Sequence, residues 1–171
     1  MDGEPLRIST PGSSEAVLGN DAFTEALSPS SSSSVQVAVR VRPFLPSEAG
    51  SNKCVNVSDA SIQIGREGGA AFSFDFAFAP NDTQDHLYNT CISPLLKSCL
   101  SGYNATTLAY GQTGSGKTYT MLGPSSKGNA SNSGVIPRAL RELFLHLQER
   151  KKEAADESYD FDVRVQFLEL Y

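Results

Sequence analysis

Cysteine and histidine are scarce in this sequence, which argues against a disulfide or zinc framework. The three cysteines, Cys54, Cys91 and Cys99, leave one unpaired in any arrangement, and the two histidines are His86 and His146. Cys91 and Cys99 would lie about 12 Å apart along a helix at 1.5 Å per residue, too far for a local disulfide. Because there is also no Cys-x-x-Cys pair, these side chains are predicted to be structural.

Long apolar runs are absent as well. None approaches the roughly 18 residues that a membrane-spanning helix requires, and the start of the chain shows no basic region followed by an apolar stretch. We therefore expect a cytosolic protein without a membrane partner. The 171 residues, of which 39% are hydrophobic, are enough for one globular domain or for part of one.

The sequence also lacks an excess of basic charge. Its formal net charge is −5, which at first argues against a polyanionic partner such as nucleic acid or a microtubule. Residues 1–34 hold five acidic residues and one basic residue and so contribute −4, which leaves −1 for the rest. The charge therefore neither supports nor excludes a polyanionic partner, and no residue pattern indicates nucleic acid.

Residues 1–34 are rich in Ser, Gly and Pro and show no sustained apolar period. This composition predicts a disordered leader, with a phosphorylatable regulatory tail as the alternative. The folded domain is predicted to begin at Val35 and to occupy 35–171.

From Val35 onward, strand-like and helix-like patterns alternate, which predicts an α/β protein. A stripe of phenylalanines at Phe72, Phe74, Phe76 and Phe78 is interpreted as one core-facing strand. The segment 106–110 is predicted to be a short buried strand that leads into a glycine-rich loop. The full set of predicted strands is 35–42, 54–57, 61–64, 72–78, 106–110 and 159–167.

Three helices are predicted between these strands. The first is capped by Asp82 or Thr83 and ended by Gly102, with Pro94 predicted to kink it by removing a backbone hydrogen bond. The second begins near Lys117. The third is amphipathic, with an apolar face formed by Ile136, Leu140, Leu143, Phe144 and Leu147.

The glycine-rich loop carries the chemistry. It fits the pattern G-x-x-x-x-G-K-[ST], in which glycines let backbone N–H groups turn inward around phosphates at the start of a helix. Lys117 would supply a charge for the β and γ phosphates, and Thr118 a hydroxyl ligand for Mg²⁺. The loop reads Gly111, Gln112, Thr113, Gly114, Ser115, Gly116, Lys117, Thr118.

The wider sequence around this loop resembles the kinesin motor domain. The segment from Ala109 to Met121 is similar to the family's AYGQTGSGKTxTM, and four further motifs occur in family order. The resemblance covers roughly residues 35–171, and the proline-containing helix with its following turn is similar to chromokinesin-like members. Of these four segments, RVRP at 40–43 and GYNAT at 102–106 fit the family's RxRP and GYNxT, and GVIPR at 134–138 and FLELY at 167–171 resemble its G[IL]IPR and FxEIY.

The resemblance implies an ATPase that moves along microtubules, built as a P-loop NTPase with a mixed central sheet and helices on both faces. It implies ATP and Mg²⁺ as ligands, tubulin as partner and a cytoplasmic, cytoskeletal location. It also implies that the adenine lies against Arg40, Pro43 and Tyr119. Tyr88 is a further candidate for that pocket, but its place on an apolar stripe favours a core contact.

The sequence departs from the family pattern in one respect. The switch motifs NxxSSRSH and DxxGSE do not occur among the 171 residues. We therefore expect the N-terminal half of a motor domain, in which no catalytic residue is identified and which does not hydrolyse nucleotide alone. Direction, cargo and oligomeric state would be set by segments such as a stalk that are not in this sequence.

Two alternatives remain open. A different P-loop enzyme, such as a GTPase or a small-molecule kinase, usually places the loop after its first strand, whereas about 75 residues of mostly strand-like pattern precede it here. A guanine-reading NKxD motif is also absent, because Asn52 and Lys53 are followed by Cys54 and Val55. The second alternative is a nucleotide-binding or non-enzymatic fragment.

Removal of residues 1–34 is expected to leave the thermal melt of the remaining chain unchanged, because this stretch has no apolar stripe long enough to join a core. Limited proteolysis followed by mass spectrometry should cut the chain first before Val35. Strong protection of 1–34, or a lower melting temperature after its removal, would show that the domain begins earlier.

Overall fold

Residues 35–65, 69–124, 130–154 and 160–169 are described by a computed structural model of the chain. They fall into two units, Gln36–Glu153 and a smaller one that contains Val35, Ala154 and residues 160–169. The predicted leader lies outside the described residues, so the domain boundary at Val35 stays a prediction.

A short parallel pair of strands begins the larger unit. Strand β1 (Ala38–Arg40) pairs with β5 (Phe76–Phe78), with Ala38 opposite Phe76 and Arg40 opposite Phe78. The sequence predicted a longer first strand over 35–42, but only its middle is paired. This register places Arg40 beside the end of β5, where the core begins.

Strands β2 (Val55–Ser58), β3 (Ser61–Ile64) and β4 (Ala70–Ser73) form a separate antiparallel sheet in the order β2-β3-β4. The predicted strand at 61–64 is confirmed, and the one at 54–57 is confirmed with a shift of one residue. Parallel and antiparallel pairing, both expected of a mixed sheet, are therefore present among the described residues, but in two separate sheets.

The phenylalanine stripe was predicted as one strand, and this prediction is wrong. The Phe74 backbone N–H donates to the Ala60 carbonyl, in the turn between β2 and β3, at 2.8 Å, whereas the next N–H, of Asp75, donates to the Val37 carbonyl at 3.1 Å. The chain thus changes hydrogen-bonding partners between two consecutive residues. As a result, Phe72 on β4 is half exposed, while Phe78 on β5 is only 2% exposed.

The first predicted helix consists of three segments: α1 (Gln84–Leu87), a π-helical turn (Tyr88–Ile92) and α2 (Ser93–Leu100). Thr83 is the N-cap, as predicted, because its hydroxyl accepts the His86 N–H at 3.0 Å. At the other end, the Gly102 N–H donates to Cys99 at 2.9 Å and closes the last turn.

The helix is interrupted next to Pro94, as expected, but by a π-helical turn rather than by a simple kink. Pro94 has no N–H to donate to the preceding turn, and the Ser93 N–H reaches back five residues to Tyr88. The wider turn accommodates the proline ring without ending the helical path. Tyr88, the first residue of this turn, is only 4% exposed.

Two further helices follow the glycine-rich loop. Helix α3 (Lys117–Leu122) is short and begins where the sequence predicted, and α4 (Val135–Glu153) is the longest helix described. A 3₁₀ turn at Ala130–Asn132 precedes α4. Gly134 lies against the end of α3, where a Cβ atom would be 2.5 Å from the Met121 carbonyl carbon. The two helices therefore meet through a glycine.

The core joins β5, the π-helical turn and α4. Its buried members are Phe78, Leu87, Tyr88, Ile92 and Val135, and Cys91, Met121 and Ala139 pack against them. The interpretation of Tyr88 as a core residue is confirmed. Its hydroxyl donates to Glu142 of α4 at 2.7 Å, and burial together with this hydrogen bond raises the pKa of the Tyr88 phenol.

Two predicted strands are not formed. The segment 106–110 is neither strand nor buried, with Leu108 87% and Tyr110 100% exposed. Residues 160–167, the described part of the last predicted strand, form neither helix nor strand. A strand exists only when a neighbour satisfies its backbone groups, and among the described residues none pairs with 106–110.

Across the stretches that the structure describes, no helix is both long and apolar enough to span a bilayer.

Replacement of Gly134 by alanine is expected to destabilise the fold by about 3 kcal/mol, the upper end for overpacking. The reason is that three backbone atoms of α3 and its end lie 2.5–2.6 Å from the added Cβ, too close to be relieved by a side-chain rotation. The measurement is urea unfolding of the 171-residue chain.

Gly50→Ala is the matched control, because Gly50 has a φ of +91° and nothing within 4 Å of its Cβ position. It should show only backbone strain, about 1 kcal/mol. If Gly134→Ala lowered the free energy of unfolding by no more than Gly50→Ala does, the packing explanation would be contradicted.

Candidate functional site

The loop from Gly111 to Gly116 connects the exposed segment 106–110 to the first residue of α3. Gly114 and Gly116 have φ angles of +80° and +102°, which other residues rarely adopt. A Cβ at either position would meet no atom within 4 Å, so the space beside them is open. The predicted order of loop and helix is confirmed, and the predicted strand before them is not.

Lys117 closes this loop on itself. Its Nζ donates to the Gly111 carbonyl at 2.8 Å and to the Gln112 carbonyl at 3.0 Å, and the Ser115 N–H donates to Gln112 at 3.1 Å. Lys117 is partly buried, and its ammonium is bound to the first two residues of the loop. Since an ammonium has three N–H donors, one remains available for a further acceptor.

Thr118, the predicted Mg²⁺ ligand, follows Lys117 on α3 and is exposed, as are Gln112 and Thr113 of the loop. Lys117 and Thr118 are thus the first two residues of α3. The structure places these residues together on one loop and one helical turn.

Arg40, a predicted site residue on β1, lies against the middle of α3. Its Nη1 donates to the Gln84 Oε1 at 2.8 Å and to the Thr120 Oγ1 at 3.0 Å. Its guanidinium carbon lies 5.4 Å from the centre of the Tyr119 ring, a cation–π contact. The structure therefore brings Arg40 and Tyr119 together, although they are far apart in the sequence.

Gln84 completes this cluster and was not predicted from the sequence. It is the first residue of α1, only 4% exposed, and its Nε2 donates to the Tyr119 carbonyl at 2.7 Å while its Oε1 accepts from Arg40. One signal was available: Gln84 precedes Tyr88 by four residues and so shares the helix face that carries the apolar stripe. A polar residue on such a face has to find internal partners.

Burial and the neighbouring groups have opposite effects on the pKa of Arg40. Burial lowers the pKa of the Arg40 guanidinium, and Tyr119 and Asp82 act in the opposite direction. Asp82 has its own partner, because a hydrogen bond with His86 at 3.0 Å lowers the pKa of the Asp82 carboxyl. Since a guanidinium keeps its proton in proteins, Arg40 remains a cation.

Pro43, the third predicted adenine contact, stays outside the Arg40 cluster in the contacts of the described residues. It is exposed beyond β1, and its carbonyl accepts from Arg42 at 3.0 Å. Arg42 also pairs with Glu48 at 2.6 Å, and this hydrogen bond lowers the pKa of the Glu48 carboxyl to about 2. The two arginines of the motif thus differ, because Arg42 fixes the turn after β1 and Arg40 lies against α3.

An open cleft of about 540 Å³ lies beside Tyr119, between the start of α1 and α4. Arg138 of α4 lines it, and its guanidinium is held by Asp85 at 2.7 Å and by the carbonyls of Ser133 and Ser131 at 2.9 and 2.7 Å. Arg138 thereby ties α4 to α1 and to the 3₁₀ turn.

Comparison with known proteins gives consistent matches. The family model described as "Kinesin motor domain" matches residues 40–171. The chain is 49% identical over 142 residues to the kinesin-like protein KIF27 of Homo sapiens, covering 80% of this chain and 10% of that protein. It is 44% identical over 143 residues to the kinesin-like protein KIF21B of Mus musculus, covering 80% and 9%.

A third relative is the chromosome-associated kinesin KIF4A of Homo sapiens, 38% identical over 141 residues, with 80% of this chain and 11% of that protein covered. The chain therefore spans about a tenth of the length of the curated relatives it matches.

Proposed function

The chain belongs to the kinesin motor-domain family, and from that premise we propose that it forms the ATP-binding part of a microtubule-based motor protein. The observation that carries the proposal is the loop from Gly111 to Gly116, closed by Lys117 and followed at once by α3. Tubulin as partner, a cytoskeletal location and movement along microtubules are part of the same proposal for the whole protein.

The loop residues fit a Mg²⁺-bound triphosphate. The open space beside Gly114 and Gly116 leaves room for phosphate oxygens near backbone N–H groups. Lys117 offers its third N–H to a phosphate oxygen, and the exposed Thr118 hydroxyl is a hard oxygen ligand of the kind Mg²⁺ prefers. Bound Mg²⁺ would offset the phosphate charge, while these side chains bind and orient the phosphates.

Arg40 and Tyr119 would bind the base. The half-exposed Tyr119 ring offers a stacking surface beside the partly buried Arg40 guanidinium, and hydrogen bonds hold Arg40 in place before any ligand arrives. Preorganised aromatic and guanidinium groups suit a purine, because they lose little entropy on binding. Pro43 would contribute only if the exposed segment after β1 closes over the base.

A second candidate is nucleotide binding without turnover. The supporting observation is the segment 106–110 immediately before the loop, in which Leu108 is 87% and Tyr110 100% exposed. A phosphate loop supported on one side only, by α3, is held less firmly than one fixed on both sides. A different P-loop enzyme has less support, because the matched family is the kinesins.

Replacement of Lys117 by alanine is expected to weaken ATP binding by an order of magnitude or more, since a charge-assisted contact is worth roughly 1.5–3 kcal/mol. Isothermal calorimetry of the 171-residue chain with Mg²⁺ and ATP measures it. Lys97→Ala is the control, because Lys97 is an exposed lysine on α2 and is not part of the loop. Equal ATP affinity of wild type and Lys117→Ala would refute the phosphate assignment.

The 171-residue chain is expected to bind ATP weakly and to release no phosphate above background, with or without microtubules. Phosphoryl transfer to water requires a positioned water molecule and charge stabilisation, and the sequence contains neither switch motif. A phosphate-release assay over a range of microtubule concentrations tests this. Release that rises with microtubules would show catalytic residues among these 171 that have not been identified.

A further inference from the structure

Gln84 links the two side chains of the proposed base site. Its amide oxygen accepts from the Arg40 guanidinium at 2.8 Å, and its amide nitrogen donates to the Tyr119 carbonyl at 2.7 Å. We propose that Gln84 is the positioning residue for base recognition, holding Arg40 and Tyr119 at the separation that binds the base. This inference rests on the proposed ATP-binding function.

The chemistry of the side chain suits this position. One end of the amide accepts and the other donates, so a single glutamine satisfies a cation on β1 and a carbonyl on α3 at the same time. Because Gln84 is 4% exposed, water does not readily replace either bond. Thr120 alone would leave Arg40 attached to α3 through one hydroxyl at 3.0 Å.

The two hydrogen bonds of Gln84 should affect binding of the base and not binding of the phosphates. Lys117 is held by the carbonyls of Gly111 and Gln112, and Gln84 makes neither of those contacts. Loss of the amide should leave the Arg40 guanidinium held only by the Thr120 hydroxyl and the Asp82 carbonyl, and so less firmly placed over the Tyr119 ring, while the loop keeps its own hydrogen bonds. Gln84 therefore affects the binding of a nucleotide but not of a bare polyphosphate.

The test compares ATP with inorganic tripolyphosphate, each with Mg²⁺, by calorimetry on the 171-residue chain. Gln84→Met keeps the volume and removes both hydrogen bonds, so the Kd for ATP should rise about tenfold while the Kd for tripolyphosphate stays unchanged. Gln84→Glu keeps an acceptor for Arg40 but no donor for Tyr119 and should show a smaller rise. Gln148→Met, at an exposed glutamine of α4, is the control.

Equal weakening of ATP and tripolyphosphate by Gln84→Met would overturn the proposal, because it would show a structural effect on the whole site. Unchanged ATP binding by both variants would overturn it as well. If the wild type binds tripolyphosphate as tightly as ATP, the base site fails and the phosphate loop stands. If the wild type binds neither, the proposed function itself fails.

Discussion

Burial of Phe78 at the end of β5 is the constraint on which the described structure depends. Removal of an aromatic side chain of this size from water contributes roughly 1.5–3 kcal/mol, and Leu87, Tyr88 and Val135 join the same cluster. Because Phe78 lies opposite Arg40 in the β1–β5 register, this packing also fixes where Arg40 leaves the strand. The core thereby sets the distance from β1 to α1 and α3.

The two halves of the proposed site depend on this core to different degrees. Its base half is held by long-range contacts, since Arg40, Gln84 and Tyr119 come from β1, α1 and α3. Its phosphate half is held mainly by local contacts, from Lys117 back to the loop that precedes it. A substitution in the core should therefore disturb base recognition before it disturbs the phosphate loop.

The differences between prediction and structure share one cause. Capping by Thr83 and the start of α3 were predicted correctly, because caps and glycine loops are specified by residues within one or two turns. The stripe at Phe72 and Phe78 and the segment 106–110 were predicted wrongly, because a strand is defined by a distant neighbour. Alternation of apolar residues does not say which sheet that neighbour belongs to.

The sequence by itself determined the phosphate loop, the helix that follows it and the family, because these depend on residue types at fixed short spacings. Only the tertiary structure decided that the Tyr88 hydroxyl donates to Glu142, that Arg42 pairs with Glu48, and that Gln84 joins Arg40 to Tyr119. Local spacing fixes backbone conformation, whereas the partner of a polar side chain depends on which elements the buried apolar groups bring together.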